Sequence, residues 1–477
     1  MAEMETRLDE LAARVRRDLQ VLAYPDVRWV TGMQHPSGQH VYDVIIVGAG
    51  QSGLAIAFAL RREGVTNVVA LDRSPTGFEG PWATFARMAE LRTPKALVGT
   101  ELGLPNLSVR AWFEARYGAD AWEGIVRIPR QDWLAYLAWY RRILDLPVRN
   151  ETEVDGIAFD GRSFVVGTSG PGGAQTLLAR RVVLATGYDG GGEWRVPPMI
   201  SSALPASTYA HSNGPIDFAP LRGKRVGVLG HGASAFDASV AALEAGAASV
   251  DLCFRRPELP SVNPHRWIEF TGFLKHFPDL DDPTRWMVNR HLKAIDQPPA
   301  PHSYEKARKF ADFALHPASP WERVGYTEDT IRVVTPDRDF AFDFVICATG
   351  MTIDLAHRRE LTSFVSSIAL WSDKYQPPAG AAHPMLAAYP YLGGAYEFQE
   401  KRPGEAPYLQ WLHAFNSSAA VSMGQHSTSI SGHKYSIPRV VAGITRSLFV
   451  EQAPALLPAL ADYRVAELPR EGANAAA

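Results

Sequence analysis

Apolar and polar positions along this chain spell out one unit twice. The run Tyr42-Asp43-Val44-Ile45-Ile46-Val47 ends in glycine, and an apolar stretch with helical spacing follows from Leu54 to Leu60. A polar break leads into Val68-Val69-Ala70-Leu71, closed by Asp72. The order returns at Arg225-Val226-Gly227-Val228-Leu229, with an apolar helix after it and a second strand from Ser249 to Phe254. Continuous apolar runs of this kind predict parallel strands covered on both faces.

Other patterns fill the spaces between these units. Leu8, Leu11, Val15 and Leu19 share one face of an amphipathic helix over residues 1–20, expected to pack on the body or on a second subunit. Residues 128–140 predict a further amphipathic helix with proline near its start. Alternating runs between Glu153 and Gln175, separated by Asp160-Gly161 and Gly170-Pro171-Gly172-Gly173, predict an antiparallel meander. It passes into the buried strand Arg181-Val182-Val183-Leu184 and the small-residue turn Ala185-Thr186-Gly187. From Leu259 to Trp321 the rhythm breaks into aromatics and prolines, and an insertion that roofs a pocket is expected. A strand, Phe342 to Cys347, then reaches a second Ala348-Thr349-Gly350. Near the C-terminus, Ser436 as N-cap and Pro438 in the first turn predict a helix through Phe449. Its positive end would face a bound cofactor. The tail 473–477 is expected to lack structure.

The turns carry the chemistry. In Gly48-Ala49-Gly50-Gln51-Ser52-Gly53, Gly48 permits the tight turn, Gly50 leaves room for a pyrophosphate, and Gly53 lets the helix pack on the strand. Asp72 lies where an acid accepts ribose hydroxyls, with Arg73 beside it. The second turn, Gly230-His231-Gly232-Ala233-Ser234-Ala235, has alanine in the last glycine's place. Its second strand ends in Arg255-Arg256, whose guanidinium groups suit a 2'-phosphate. These features predict an α/β fold of two nested Rossmann-like domains with a helical, aromatic-rich insertion. The expected division is an N-terminal helical extension (1–40), an FAD-binding part (41–215), an NADPH-binding domain (216–340, insertion 259–321) and a second FAD-binding part with the C-terminal segment (341–477).

Composition narrows the partners. The 477 residues carry 48 basic and 51 acidic side chains, a net charge of -3, with no long run of one sign, so neither nucleic acid nor an anionic membrane is expected. The two cysteines, Cys253 and Cys347, form no Cys-x-x-Cys pair, which argues against metal clusters and dithiol chemistry and fits a reducing cytoplasm. Small-molecule partners remain, and a homodimer is compatible with the N-terminal helix.

The first glycine turn, the stretch Gly77 to Trp82 with Gly80, the two Ala-Thr-Gly turns and the second glycine turn together resemble the class B flavoprotein monooxygenases. These comprise flavin-containing monooxygenases, amino-acid N-hydroxylases and Baeyer-Villiger monooxygenases, all with a glutathione-reductase-like fold. The resemblance covers roughly residues 41–350. It implies FAD held by Gly48, Gly50, Gln51, Ser52, Gly53, Asp72, Arg73, Gly80, Trp82, Arg92, Thr186, Gly187, Thr349, Gly350 and Ser436. It implies NADPH held by Gly230, Gly232, Ala233, Ser234, Arg255 and Arg256. It also implies molecular oxygen as co-substrate, carried as a C4a-(hydro)peroxyflavin to a small organic substrate at nitrogen or sulfur, with attack on a ketone as the alternative. Asn416, Arg92 and His211 are the candidate catalytic helpers. Departures stand beside the matches. The linker signature Phe-x-Gly-x-x-x-His is reduced to a stretch ending in His211, and the Tyr-Pro-Gly of Baeyer-Villiger enzymes after tryptophan is missing. Lys95, where N-hydroxylases contact substrate, reads as a solvated lysine. The rival readings are an NADPH-dependent flavin reductase or oxidase, and a nucleotide sensor without catalysis.

Overall fold

The computed structural model describes residues 2–22 and 28–468; the C-terminal residues 473–477 lie outside them. The first layer of elements comprises α1 (Ala2–Val21), β1 (Val41–Val47), α2 (Gln51–Arg62), β2 (Val68–Leu71), α3 (Val109–Tyr117), α4 (Arg130–Ile143) and β3 (Val148–Arg149). The meander follows as β4 (Glu153–Phe159), β5 (Phe164–Ser169) and β6 (Gln175–Leu184). The six strands belong to one sheet in the order β3-β2-β1-β6-β5-β4. β6 is long enough to serve two neighbours: its first half pairs antiparallel with β5, its second half parallel with β1. Val44, Ile45 and Ile46 are fully buried, as their unbroken apolar run demands. α1 lies on the same chain, with Leu11 and Val15 buried and Arg7 Nε donating to the Ala115 carbonyl of α3 at 2.8 Å.

The second unit begins after β7 (Gly192–Trp194) and α5 (Pro198–Ser201). It contains β8 (Tyr209–His211), β9 (Arg225–Leu229), α6 (Ala233–Glu244), β10 (Ser249–Cys253), α7 (Pro264–Trp267), α8 (Thr271–His276), α9 (Asp282–Ile295), α10 (Pro301–Arg308) and β11 (Phe313–His316). A three-stranded antiparallel sheet of β12 (Arg323–Thr327), β13 (Thr330–Val334) and β14 (Asp339–Phe342) leads to β15 (Phe344–Cys347). The parallel sheet runs β11-β10-β9-β15-β8. Three expected boundaries therefore move, the first because β8 places the start of the second unit before residue 216. The stretch outside the strand-helix rhythm ends before β11 rather than at Trp321, because its polar flanks hid a short strand. β15 belongs to the second sheet, so that unit runs past residue 340. Cys253 and Cys347 are buried on β10 and β15, on either side of β9, and burial pushes their thiols up to about 11 and about 12.

The chain then returns to the first unit. β16 (Met351–Ile353) pairs with β7, and α11 (Trp371–Lys374) and α12 (Pro384–Ala387) precede β17 (Leu412–His413), which adds to β6 in parallel. α13 (Ala420–Met423), α14 (His433–Glu451) and α15 (Ala453–Asp462) complete the chain. The second unit is thus nested in the first. Its α9 is anchored on the returning segment: Trp286 packs with Trp371, Leu386, Tyr389 and Val421, and Arg285 donates to the Ser422 carbonyl at 3.0 Å. α14 starts at His433 with Gly432 as N-cap, one turn earlier than expected, so Ser436 is no cap and Pro438 lies inside the helix. No single helix among the described residues is long and apolar enough to cross a membrane.

Candidate functional site

Two helix N-termini are built alike, and neither carries a protein anion. α2 follows Gly50 and α6 follows Gly232; neither N-cap has a side-chain hydrogen bond, and neither first turn contains an acid. By contrast, the surface helix α9 is capped by Asp281, which accepts from Thr284 N. Uncapped N-termini at the ends of buried parallel strands are suited to a phosphate.

Each turn is closed from above by an Ala-Thr-Gly. Gly48 has φ +100°, and a Cβ there would fall 2.4 Å from the Ala185 carbonyl oxygen; Gly230 has φ +136° and the same relation to the Ala348 carbonyl at 2.3 Å. The second Ala-Thr-Gly, with Thr349 and Gly350, therefore covers the second turn rather than the first, where FAD was expected to use it. Gly53 packs so closely that a Cβ would meet the Gly48 carbonyl at 1.9 Å. On the ligand side the turns are open: a Cβ on Gly50 would meet only Gly80, at 3.8 Å, and one on Gly232 nothing within 4 Å. Two residues beyond Gly80, the buried indole N–H of Trp82 has no partner among the described residues. Open space over an uncapped helix and an orphan donor fit a dinucleotide.

The supports of the two turns differ. Asp72 is buried, with one carboxylate oxygen accepting from Ala49 N at 2.8 Å and the other from Ser74 N at 2.9 Å, so it braces the loop it was expected to serve from outside. Gln51 Oε1 accepts from the Trp133 indole at 3.2 Å, and Ser52 Oγ lies 3.0 Å from His433 Nε2. His433 is fully buried, and burial pushes it down to about 4, so its ring is neutral. Arg73 is exposed, 3.8 Å from Asp189. At the second turn, Ala235 is buried in the glycine's place and Ser234 is half-buried. Arg255 is exposed; Arg256 lies 3.5 Å from Asp296, whose carboxylate is also 3.0 Å from His231 Nε2. Burial pushes the Asp296 carboxyl up, but the His231 hydrogen bond and the Gln297 N–H outweigh it and hold it below its ordinary value.

The three candidate helpers sit at junctions. His211 Nδ1 accepts from Asn213 N at 3.1 Å, which leaves Nε2–H to donate to the Gly350 carbonyl at 3.1 Å. Both ring nitrogens are engaged, and burial lowers the imidazole to about 4, so His211 is a neutral brace rather than a proton carrier. Asn416 is buried; its amide donates to Thr186 Oγ1 at 3.1 Å and its carbonyl accepts from Ser418 N and Oγ, joining the first Ala-Thr-Gly to the returning segment. Gly187, with φ +79°, bridges Asn416 through the backbone. Arg92 donates to Asp237 Oδ2 of α6 at 2.6 Å, and Ser303 donates to the other oxygen at 2.6 Å, so this carboxylate ties the two units and the insertion together. Arg87 is bound to the Ser212 and Gly214 carbonyls. Lys95 is not solvated: it donates to the Trp122 and Ile125 carbonyls at 2.7 and 2.8 Å. His433, Asp237 and Asp296 escaped sequence reasoning because their partners lie tens to hundreds of residues away, with no local motif to mark them.

Known proteins resemble this chain in sequence and fold. A family model described as pyridine nucleotide-disulphide oxidoreductase matches residues 45–297. An FAD-dependent urate hydroxylase of Xanthomonas campestris pv. campestris is 44% identical over 460 residues, covering 96% of this chain and 97% of its own. An ornithine hydroxylase of Pseudomonas aeruginosa has the same fold, with TM-score 0.69 at 17% identity over 86% of this chain and 100% of its own. A flavin-containing monooxygenase of Stenotrophomonas maltophilia reaches 0.54 at 21% identity, over 85% and 98%. The chain belongs to the pyridine nucleotide-disulphide oxidoreductase family and is an enzyme of its flavin-dependent monooxygenase branch.

Proposed function

We propose that this enzyme is an NADPH- and FAD-dependent monooxygenase that hydroxylates a small, nitrogen-rich heterocycle of the urate class. The observation that carries the reading is the 44% identity to a urate hydroxylase through almost the whole of both chains, which takes in the insertion and the returning segment as well as the nucleotide turns. The first turn would hold FAD through the N–H groups of Gln51, Ser52 and Gly53, with Gly50 and Gly80 leaving room for its pyrophosphate. The second would hold NADPH through Gly232, Ala233 and Ser234, with Arg255 and Arg256 on the 2'-phosphate. When bound, the two cofactors supply hydride transfer and oxygen activation. The balance is substrate, O2, NADPH and a proton giving hydroxylated substrate, NADP+ and water.

The protein's own contribution is positional. Asp72 holds the Ala49 amide, and with it the first turn, in place. The Arg92–Asp237–Ser303 junction aligns the second unit and the insertion against the first. Trp286 and Arg285 clamp the insertion to the returning segment. None of the three candidate helpers is a free acid or base, which suits a reaction whose reactive oxygen is made by a cofactor.

The test is oxygen consumption by the FAD-loaded enzyme with NADPH, with urate, an aliphatic diamine, a thioether or a ketone added in turn. Urate-dependent oxygen uptake, one oxygen per NADPH and little hydrogen peroxide, is expected. Coupled turnover with the amine or thioether alone would favour N- or S-oxygenation, and peroxide formed in proportion to NADPH with every addition would make the protein an oxidase.

A further inference from the structure

The last helix is built unlike the other long helices. α15 reads Ala-Pro-Ala-Leu-Leu-Pro-Ala-Leu-Ala-Asp, with a single charge at its end, yet none of its residues is buried. Leu457 is 73% exposed and Leu460 71%, and Leu456 adds to them. Exposed Phe449 and Val450 continue the apolar surface into the last turn of α14. A ten-residue helix with two prolines has no means of holding itself together in water, and contiguous exposed leucines mark a surface that is covered in the working protein.

None of the described residues covers it. α15 leaves α14 at an angle of 63°, and its leucines are exposed whereas the inner face of α14 (Val440, Ile444, Leu448) is buried. A membrane surface fits poorly: the helix has no basic residue and no polar face. What does fit lies further back along α14. Among the described residues, a groove of about 730 Å³ runs along that helix, with Trp29, Leu102, Val441, Ala442 and Phe449 in its lining and Lys434 and Arg446 at its edge. The charged lining is Arg62, Lys434 and Arg446 against one acid, Glu63, so an apolar floor with a net positive rim complements an apolar helix whose end and continuation, with Asp462, Arg464 and Glu467, are net negative.

We propose that α15 is an exchanged dimerisation arm: the helix of one subunit lies in the α14 groove of a second copy, and the second copy returns its own. Reciprocal exchange closes a two-fold dimer and leaves no free groove or arm, which a one-way contact would not do. The bend at Gln452, whose Oε1 accepts from Thr31 N at 2.6 Å, sets the arm's direction. This places the subunit interface at the C-terminal end of the chain rather than on α1, which is packed on α3.

The experiment is sedimentation or light scattering of the full-length, FAD-loaded protein at micromolar concentration. A particle of twice the 52.3 kDa chain mass is expected. The arm variant Leu457→Asp/Leu460→Asp and the groove variant Ala442→Glu, at exposed positions that leave the monomer's fold alone, are each expected to halve that mass with flavin content and turnover per chain unchanged. With Leu457→Cys and Ala442→Cys on one chain, oxidation is expected to give a covalent dimer, because Cys253 and Cys347 are buried. A wild-type monomer, a dimer that survives both variants, an intrachain disulfide, or binding to lipid vesicles in place of dimerisation would each overturn the proposal.

Discussion

The two nucleotide turns share a strand, an uncapped helix and an Ala-Thr-Gly lid, but they are held differently. The first is braced from within. A buried carboxylate, Asp72, takes the Ala49 amide, buried His433 meets Ser52, and Gly53 lies against the Gly48 carbonyl. The second is braced from without, by Asp296 of the insertion reaching His231 and Arg256 across solvent-accessible side chains. A turn fixed by buried hydrogen bonds suits a ligand that stays, and a turn held by part-exposed side-chain contacts suits one that comes and goes. The contrast suits the proposed assignment of a retained flavin to the first turn and an exchanging nicotinamide to the second.

The largest effect should come from attacking the inner brace. Gly53→Val or Gly48→Val puts side-chain atoms onto a backbone carbonyl, and flavin-free or insoluble protein is expected, read from the ratio of flavin to protein absorbance. Asp72→Ala leaves two backbone N–H groups without acceptors at about 1–3 kcal/mol each, so flavin affinity is expected to fall by roughly 10- to 100-fold while the affinity for NADPH changes little. Equal losses for both cofactors would erase the contrast between the turns.

Acidification tests the buried imidazoles. His433 and His413 are neutral in the fold at about 4 against an ordinary 6.5, so between those values the unfolded chain binds more protons and stability rises with pH. Unfolding free energy is therefore expected to decline as pH falls from 6.5 towards 4, by up to about 3 kcal/mol per imidazole, with the contribution levelling below 4. Denaturant titrations across that range check it, and His433→Gln should flatten the slope.

Smaller effects belong to the outer brace. Arg255→Ala is expected to raise KM for NADPH about tenfold, on the scale of a charge-assisted hydrogen bond, with KM for NADH and flavin content unchanged. Arg92→Ala removes the charged partner of the buried Asp237 carboxylate, which keeps its Ser303 hydrogen bond, and a double-mutant cycle should give a coupling of about 1–3 kcal/mol. Gly232→Ala should leave thermal stability as it is, since its Cβ meets nothing and the backbone needs no left-handed conformation, while slowing nucleotide entry.

The repeated units were legible because their determinants are local. A run such as Val44-Ile45-Ile46-Val47 can be buried on both faces only in a parallel sheet, and a glycine turn after it can only open a helix. Both glycine motifs, the meander and the amphipathic α1 stand where the pattern puts them. Boundaries set by pairing were not legible: β11 is four half-buried residues whose strand character comes from lying beside β10, and β15 joined the second sheet because β9 offered it an edge. Ser436 and Pro438 imitate a helix start, but packing carries α14 back to His433, where the imidazole reaches Ser52.

By itself, then, the amino-acid order determined that this chain holds two strand-turn-helix units with glycine turns, one followed by an acid and the other by arginines, because each depends on residues within about thirty positions of one another. Only the tertiary structure decided what those residues hold. It turned Asp72 inward, closed both rings of contact around His211 and Asn416, brought Asp296 and Asp237 to the second unit and left the α15 leucines uncovered. Hydrogen bonds and burial are set by distance in space, and residues hundreds of positions apart become neighbours only once the sheets have formed.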